Sequence, residues 1–286
     1  HEVHKPIAAH NGLFISGKFD QFQRNVPYSA FYQALKTWLQ HILSLPESKL
    51  QEKRDYINRM LGVNARVLID FMNDFKPLLG ELAPVQVLGA EETQHRFHRV
   101  FLQLISLIAQ ERPLVIFIDD LQWADRGTLN LLPVLMREAR CHLLLIVAYR
   151  DNEVDSIHPA LQALKAIEAT RKGSTSTLTL GPLSLEEVSR LLVDGLHQPS
   201  SKVKPLATLV KKKTGGNPFF INEFMKMLYS EELLNFDLKR QCWEWNLQEI
   251  TAKDITDNVV TLMLGKMQLL PEETQQMLRL ASCIGS

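Results

Sequence analysis

Short, uninterrupted apolar runs stand out against a chain otherwise patterned with helical periodicity. LVIFIDD (114–120) ends in two acids, and HLLLIVAYRD (142–151) ends in Arg150 and Asp151. A shorter run, Leu13 to Ser16, lies near the start. Such runs, separated by amphipathic stretches, read as parallel strands buried on both faces. Between them the spacing predicts helices. Phe31, Leu35, Trp38, Leu39 and Ile42 recur on one helical face within 28–45. Further helical stretches cover about 48–61, 64–79, 91–110, 126–140 and 158–170, with Pro133 predicting a kink in the fourth. STLTL (176–180) alternates as a strand does. Right-handed crossovers through these helices build a doubly wound α/β sheet. The opening VHKPIAAHNG reads as the last turns of a helix, closed by Asn11-Gly12.

After Gly181-Pro182 the apolar runs stop and helices dominate. LSLEEVSRLLVDGL (183–196) begins with a capping box, Ser184 with Glu187. Helices over about 202–213 and 218–234 follow, then an alternating hairpin over 236–247 and a helical remainder from Thr256.

Composition narrows the class. With 286 residues, 45% apolar and 22% charged, the chain can bury one large core or two modest ones. Lys+Arg and Asp+Glu both number 32, so bulk charge argues against nucleic acid as the main partner. Cys141, Cys242 and Cys283 are far apart, which suits reduced thiols in a cytoplasmic protein. No apolar run is long enough to span a bilayer. The chain starts at His1 and ends on the apolar helical pattern ASCIGS, so both ends are expected to be cuts through a longer protein.

Asp119 and Asp120 carry the strongest chemical signal. A buried strand ending in two carboxylates places them at the carboxyl edge of the sheet, where open α/β folds bind ligands. Adjacent acids there require a cation or hydrogen bonds. In a nucleotide site Asp119 would hold the magnesium shell and Asp120 would polarise the attacking water. The plainer alternative is a helix-capping acid pair. Arg150 emerges at the same edge one crossover later. It either senses a γ-phosphate or forms a structural ion pair with a nearby acid. TGGNPFFINEF (214–224) places Pro218 at a first helical position, which by itself describes a helix–helix turn. His95 and His98 lack further ligands at metal spacing, Lys211 to Lys213 fit a solvated helix end, and Trp243 and Trp245 fit packing.

Together these motifs resemble the signal-transduction ATPases with numerous domains, a branch of the AAA-like P-loop NTPases. LVIFIDDLQWAD resembles the Walker B stretch, LLLIVAYRD the sensor-1 strand with Arg150 in the arginine position, and GGNPFF the G-x-P motif. ISGKFDQFQRNVPYSAF and ITDNVV are similar to the ATPase module of large bacterial, especially cyanobacterial, signalling proteins that join a serine/threonine kinase-like domain to GAF and histidine-kinase domains. The resemblance implies ATP and Mg2+ as cofactors, with Asp119 holding magnesium through water and Asp120 and Arg150 catalytic. Asn217 and Pro218 would lie near the adenine. It implies a partial NTPase core over 1–181 with a helical insert at about 28–110, a helical lid over 182–235 and a further region over 236–286. Partners would be ATP or ADP and the flanking kinase and sensor domains, without nucleic acid or a membrane segment, and self-association stays open. The rival reading is a non-catalytic interaction scaffold of the same signalling protein.

NGLFISGKFD (11–20) contains three residues of a phosphate-loop pattern, Gly12, Gly17 and Lys18, followed by Phe19 where Ser or Thr is required. A phosphate loop follows a strand and opens a helix. Here the strand itself lies between the glycines, so the match is accidental. In the family's order, the first strand and Walker A loop are expected upstream of His1. Lys18 or Asp20 is left to line the nucleotide edge.

Overall fold

A computed structural model describes residues 4–22, 26–139, 141–170, 173–252, 267–268 and 270–284. Two compact units divide the chain, His1–Ser176 and Thr177–Ser286.

The first unit opens with α1 (His4–Ala9), closed by Asn11 in the left-handed region at φ 53° and by Gly12 N–H donating to the Ile7 carbonyl at 2.8 Å. The expected closure is therefore present, with Asn11 taking the left-handed conformation. Next comes β1 (Leu13–Lys18), the first strand of a parallel sheet ordered β1, β2 (Leu114–Asp119) and β3 (Leu143–Val147). In register, Leu13, Ile15 and Gly17 share a face with Leu114, Ile116, Ile118, Leu143, Leu145 and Val147. That face carries the unit's core, with Ile15, Ile116 and Ile118 fully buried. On the opposite face Phe14 and Phe117 stack with centroids 6.5 Å apart, and Leu144 is 55% exposed. The apolar runs predict burial on both faces; the described residues seal one of them.

The helical insert fills the chain between β1 and β2: α2 (Ser29–Leu43), α3 (Glu47–Leu61), α4 (Arg66–Phe71), α5 (Lys76–Leu79) and α6 (Ala90–Glu111). The apolar stripes of α2 and α6 meet over the sheet, where Phe31 and Phe101 pack edge to face at 4.8 Å. The seat is tight at Gly17, because a Cβ there would overlap the Ala30 carbonyl. Any side chain would drive α2 away from β1. The single helix expected over 64–79 is broken. Met72 is extended at φ −147°, ψ 105°, and this kink buries both Met72 and Phe75. α7 (Arg126–Glu138) runs through Pro133, and α8 (Pro159–Thr170) completes the unit. Residues 176–180 form no strand. Leu178 and Leu180 are 83% and 85% exposed, because alternation without a paired neighbour does not make a strand.

The second unit is mainly helical. Ser184 and Glu187 form the capping box of α9 (Leu185–Leu196), with Glu187 N–H donating to Ser184 Oγ and Ser184 N–H to the Glu187 carboxylate. α10 (Ser200–Thr214) and α11 (Pro218–Ser230) join through Gly215 and Gly216, both at positive φ. Val188, Leu192, Leu206, Val210, Ile221 and Phe224 make the core. The expected hairpin is β4 (Leu234–Asp237) with β5 (Cys242–Trp245), followed by α12 (Leu247–Ala252). Of the helical remainder, α13 (Glu272–Ile284) is described, whereas ITDNVV lies outside the described residues.

Candidate functional site

The register of the sheet decides what meets at its carboxyl edge. Lys18 and Asp119 are paired positions at the ends of β1 and β2. Asp120 then leaves the ladder in the left-handed region at φ 52°, ψ 46°. Leu121 N–H resumes pairing with the Ala148 carbonyl at 2.9 Å. A non-glycine residue held there is strained, and such strain concentrates at functional sites. The neighbouring strand ends at Val147, so Arg150 emerges beside the two acids.

Side chains converge at that edge. Lys18 Nζ lies 2.8 Å from Asp120 Oδ2 and 3.4 Å from Asp119 Oδ2, and Arg150 Nε lies 3.6 Å from Asp120 Oδ1. Gln122 Nε2 donates to Asp120 Oδ1 at 3.0 Å, and Gln122 Oε1 accepts from Arg150 N–H at 3.3 Å. Asp120 is only 4% exposed. Its Oδ2 contacts Lys18 as an ion pair without hydrogen-bond geometry, so a buried oxygen retains unused acceptor capacity. Burial is the largest influence on the Asp120 carboxyl and pushes its pKa up. Lys18, Gln122 and Arg150 together outweigh it and hold the group below its ordinary range. Lys18 is raised in turn, chiefly by Asp120.

Two exposed cations thus hold one buried carboxylate. Arg150 is further organised by Trp123 and Glu153. Its guanidinium carbon lies 5.2 Å from the Trp123 ring centroid, Nη1 donates to Glu153 Oε1 at 2.8 Å, and Trp123 Nε1 donates to Glu153 Oε2 at 3.0 Å. Gln122, Trp123 and Glu153 are site residues that the acid-centred reading overlooks. The first two stand in the same LQWAD run, so the signal was adjacent.

Asp119, Asp120 and Arg150 are therefore brought together, and Lys18 joins them. Asp20 accepts from Phe22 N–H through Oδ1 as a local turn. Asn217 and Pro218 belong to the second unit. Asn217 Oδ1 caps α11 by accepting from Phe219 N–H at 2.9 Å, and both residues are exposed. His98 is buried with Nε2 3.0 Å from the Tyr28 hydroxyl, and its pKa is lowered by burial and then by His95. No cluster of three or more His, Cys, Asp or Glu is arranged for a metal among the described residues. Lys211 Nζ reaches the Leu183 and Gly215 carbonyls, an architectural use. Trp243 packs edge to face on Tyr229 at 5.8 Å.

A magnesium–nucleotide complex fits part of this edge. Mg2+ commonly takes one or two carboxylates and completes its shell with phosphate oxygens and water. Asp119, 36% exposed in its side chain, would offer a carboxylate to the metal's water shell, and Arg150 would offer a phosphate-complementary fork.

The AAA ATPase domain family matches residues 1–147, more than half of the 286-residue chain and ending on the last residue of β3. The chain belongs to the AAA ATPase domain family. Its α/β unit with a three-stranded parallel sheet is a partial P-loop NTPase core, followed by a mainly helical region. The chain is 28% identical to the hybrid signal transduction histidine kinase G of Dictyostelium discoideum, over 96% of this chain and 10% of that protein. It is 22% identical to the peroxide stress-activated histidine kinase mak2 of Schizosaccharomyces pombe, over 52% of this chain and 6% of that protein. The chain thus spans about a tenth or less of these relatives' length. No solved structure matches it. The family implies nucleotide binding, generally with Mg2+. No helix among the described residues is long and apolar enough to cross a membrane.

Proposed function

We propose that this chain is part of the nucleotide-switch module of a cytoplasmic, multidomain signal-transduction kinase, of the STAND class, and that the intact protein, rather than these 286 residues alone, binds and hydrolyses ATP. One observation carries the reading: a strained, buried Asp120 is held at the sheet edge between two solvent-exposed cations, Lys18 and Arg150. ATP with Mg2+ supplies, when bound, a phosphoryl group activated for transfer to water. Asp119, 36% exposed in its side chain, is the residue that would hold magnesium through water. Asp120 is the base that orients and polarises the attacking water, and its lowered pKa keeps it ionised at neutral pH. Arg150 stabilises charge at the γ-phosphate once its guanidinium leaves Glu153.

Lys18 neutralises the acid pair before a ligand arrives. On this reading the phosphate cradle, for which the sequence holds no G-x-x-x-x-G-K-[ST] stretch, comes from an upstream segment. The half-bare face around Leu144, on β3 at the edge of the sheet, suits an additional strand with its following loop and helix. Residues 1–181 are the core, 182–235 the helical region that carries Asn217 and Pro218, and 236–286 a hairpin with the start of a further helical region. Nucleotide exchange then biases the flanking kinase and sensor domains.

Fluorescent-ATP titration of a polypeptide extended upstream tests the binding half of this reading. Asp119→Ala is expected to weaken Mg2+-dependent affinity by about tenfold or more, and Arg150→Ala to weaken ATP more than ADP. Unchanged affinities in both variants would refute the assignment.

A further inference from the structure

A cavity of about 830 Å3 lies in the first unit, between the turn that precedes α2, the end of α4, the start of α6 and the start of α7. Tyr28, Phe71 and Phe97 wall it, with ring centroids 4.5 to 6.2 Å apart. This wall is rigidly held at Tyr28. The residue stands in the left-handed region at φ 59°, and its N–H donates to Asp125 Oδ2 at 2.9 Å. Its hydroxyl lies 3.0 Å from His98 Nε2, and its ring rests on Gly127, where a Cβ would come within 2.9 Å of it. Bulky aromatic walls of this kind suit a flat, largely apolar ligand.

The polar lining selects for charge. Both acids are already engaged: Asp70 pairs with Arg66 at 2.7 Å, and Asp125 accepts from Tyr28 and Thr128. Arg96 is not satisfied in the same way. Its Nη1 donates to the Gln86 carbonyl at 2.8 Å, while its buried Nε has no hydrogen-bond partner among the described residues. Guanidinium has donors only, and the half-buried Arg96 lines the cavity with donors that Gln86 does not use, which suits an anionic acceptor. The exposed Arg126 adds a second positive charge to the lining.

We infer that this cavity is a binding site for a small planar aromatic anion, of the aromatic carboxylate or sulfonate class, whose rings lie on Tyr28, Phe71 and Phe97 and whose anionic group meets Arg96. The site is separate from the acids at the end of β2 and stands independently of the nucleotide reading. The two regions share one segment, because Asp125, which fixes Tyr28, closes the same run that begins with Asp119 and Asp120. Occupancy of the cavity is therefore placed to act on the sheet edge as an effector.

The test is a fluorescence titration of this chain with 8-anilinonaphthalene-1-sulfonate. Its neutral counterpart, N-phenyl-1-naphthylamine, serves as the comparison. The inference expects one saturable sulfonate site per chain, with the neutral dye binding at least about tenfold more weakly. Arg96→Gln is expected to weaken the sulfonate about tenfold and to leave the neutral dye unchanged, and Arg96→Lys is expected to stay within about threefold of the original chain. If near-UV circular dichroism shows that Arg96→Gln has lost its fold, the comparison of the two dyes on the unaltered chain decides. Equal affinity for both dyes, or no saturable site, would overturn the inference. So would loss of the sulfonate signal in Leu144→Asp, which would move the dye to the exposed sheet face, or displacement of the sulfonate by ATP with Mg2+, which would make the cavity a nucleotide site.

Discussion

Two aspartates five positions apart in one run do opposite work. At the end of β2, Asp120 is strained, nearly fully buried, and held by two side chains that are each more than half exposed, Lys18 at 59% and Arg150 at 53%. At the start of α7, Asp125 is in ordinary extended geometry at φ −69°. Its Oδ1 accepts from Thr128 N–H, and its Oδ2 accepts from Thr128 Oγ1 and Tyr28 N–H. Asp125 is consumed by architecture. Asp120 is surrounded by groups that can leave, which is what an exchangeable ligand requires. Acid identity alone does not mark chemistry; the kind of partner does.

The comparison can be broken most easily at Asp125. Asp125→Ala removes the cap of α7 and strands the buried Thr128 hydroxyl together with Tyr28 N–H, so unfolding in urea is expected to show a loss of about 2–3 kcal/mol. A loss under about 0.5 kcal/mol would erase its architectural role. Ser184→Ala supplies a scale in the second unit. That cap is exposed and makes one backbone bond through its side chain, so the expected cost is about 1 kcal/mol, read by the same method. Asp120→Asn should cost less still, under about 1 kcal/mol. It leaves Lys18 with Asp119 and Arg150 with Glu153, both cations solvated, and it removes a buried charge from a strained position. A penalty rivalling that of Asp125→Ala would make Asp120 a structural residue after all.

Acid titration gives the smallest and most specific effect. The folded-state pKa of Asp120 is depressed below its ordinary value of 3.8, so the unfolded chain binds the proton more readily. Its contribution is fully present above that value and is lost as the pH falls through the lower folded value. Stability measured from pH 5 downward should therefore decline less steeply in Asp120→Asn than in the original chain. His98 acts with the same sign in a higher window. Its lowered pKa contributes stability that is present above about 6.5 and lost as the pH falls through the folded value, and His98→Gln should flatten that limb.

Much of this architecture was legible in the chain. Apolar runs ended by charge locate β1, β2 and β3, and the order of strand and helix alone brings Asp119, Asp120 and Arg150 to one edge. The Ser184–Glu187 box was legible because a cap depends on residues three apart, which a sequence displays directly. Lys18 was only half legible. Its proximity to Asp120 follows from strand register across a hundred residues of helical insert, and register is a property of the assembled sheet. The break at Met72 and the missing strand over 176–180 were illegible for a related reason. In both places local periodicity was overruled, by core packing around Met72 and Phe75 in one case and by the lack of a partner strand in the other. The cavity beside Tyr28 depends on the approach of four separate segments, and nothing in the spacing of its residues announces it.

The contrast between the two aspartates is also the sharpest test of the nucleotide reading. In a polypeptide extended upstream to supply the phosphate loop, ATP hydrolysis by Asp120→Asn and Asp125→Asn should be compared under conditions where both remain folded. The account predicts a loss of about a hundredfold or more in Asp120→Asn, the range expected when a general base is removed, and a rate within about threefold of the original in Asp125→Asn. Equal rates in the two variants, or a larger loss in Asp125→Asn, would contradict it.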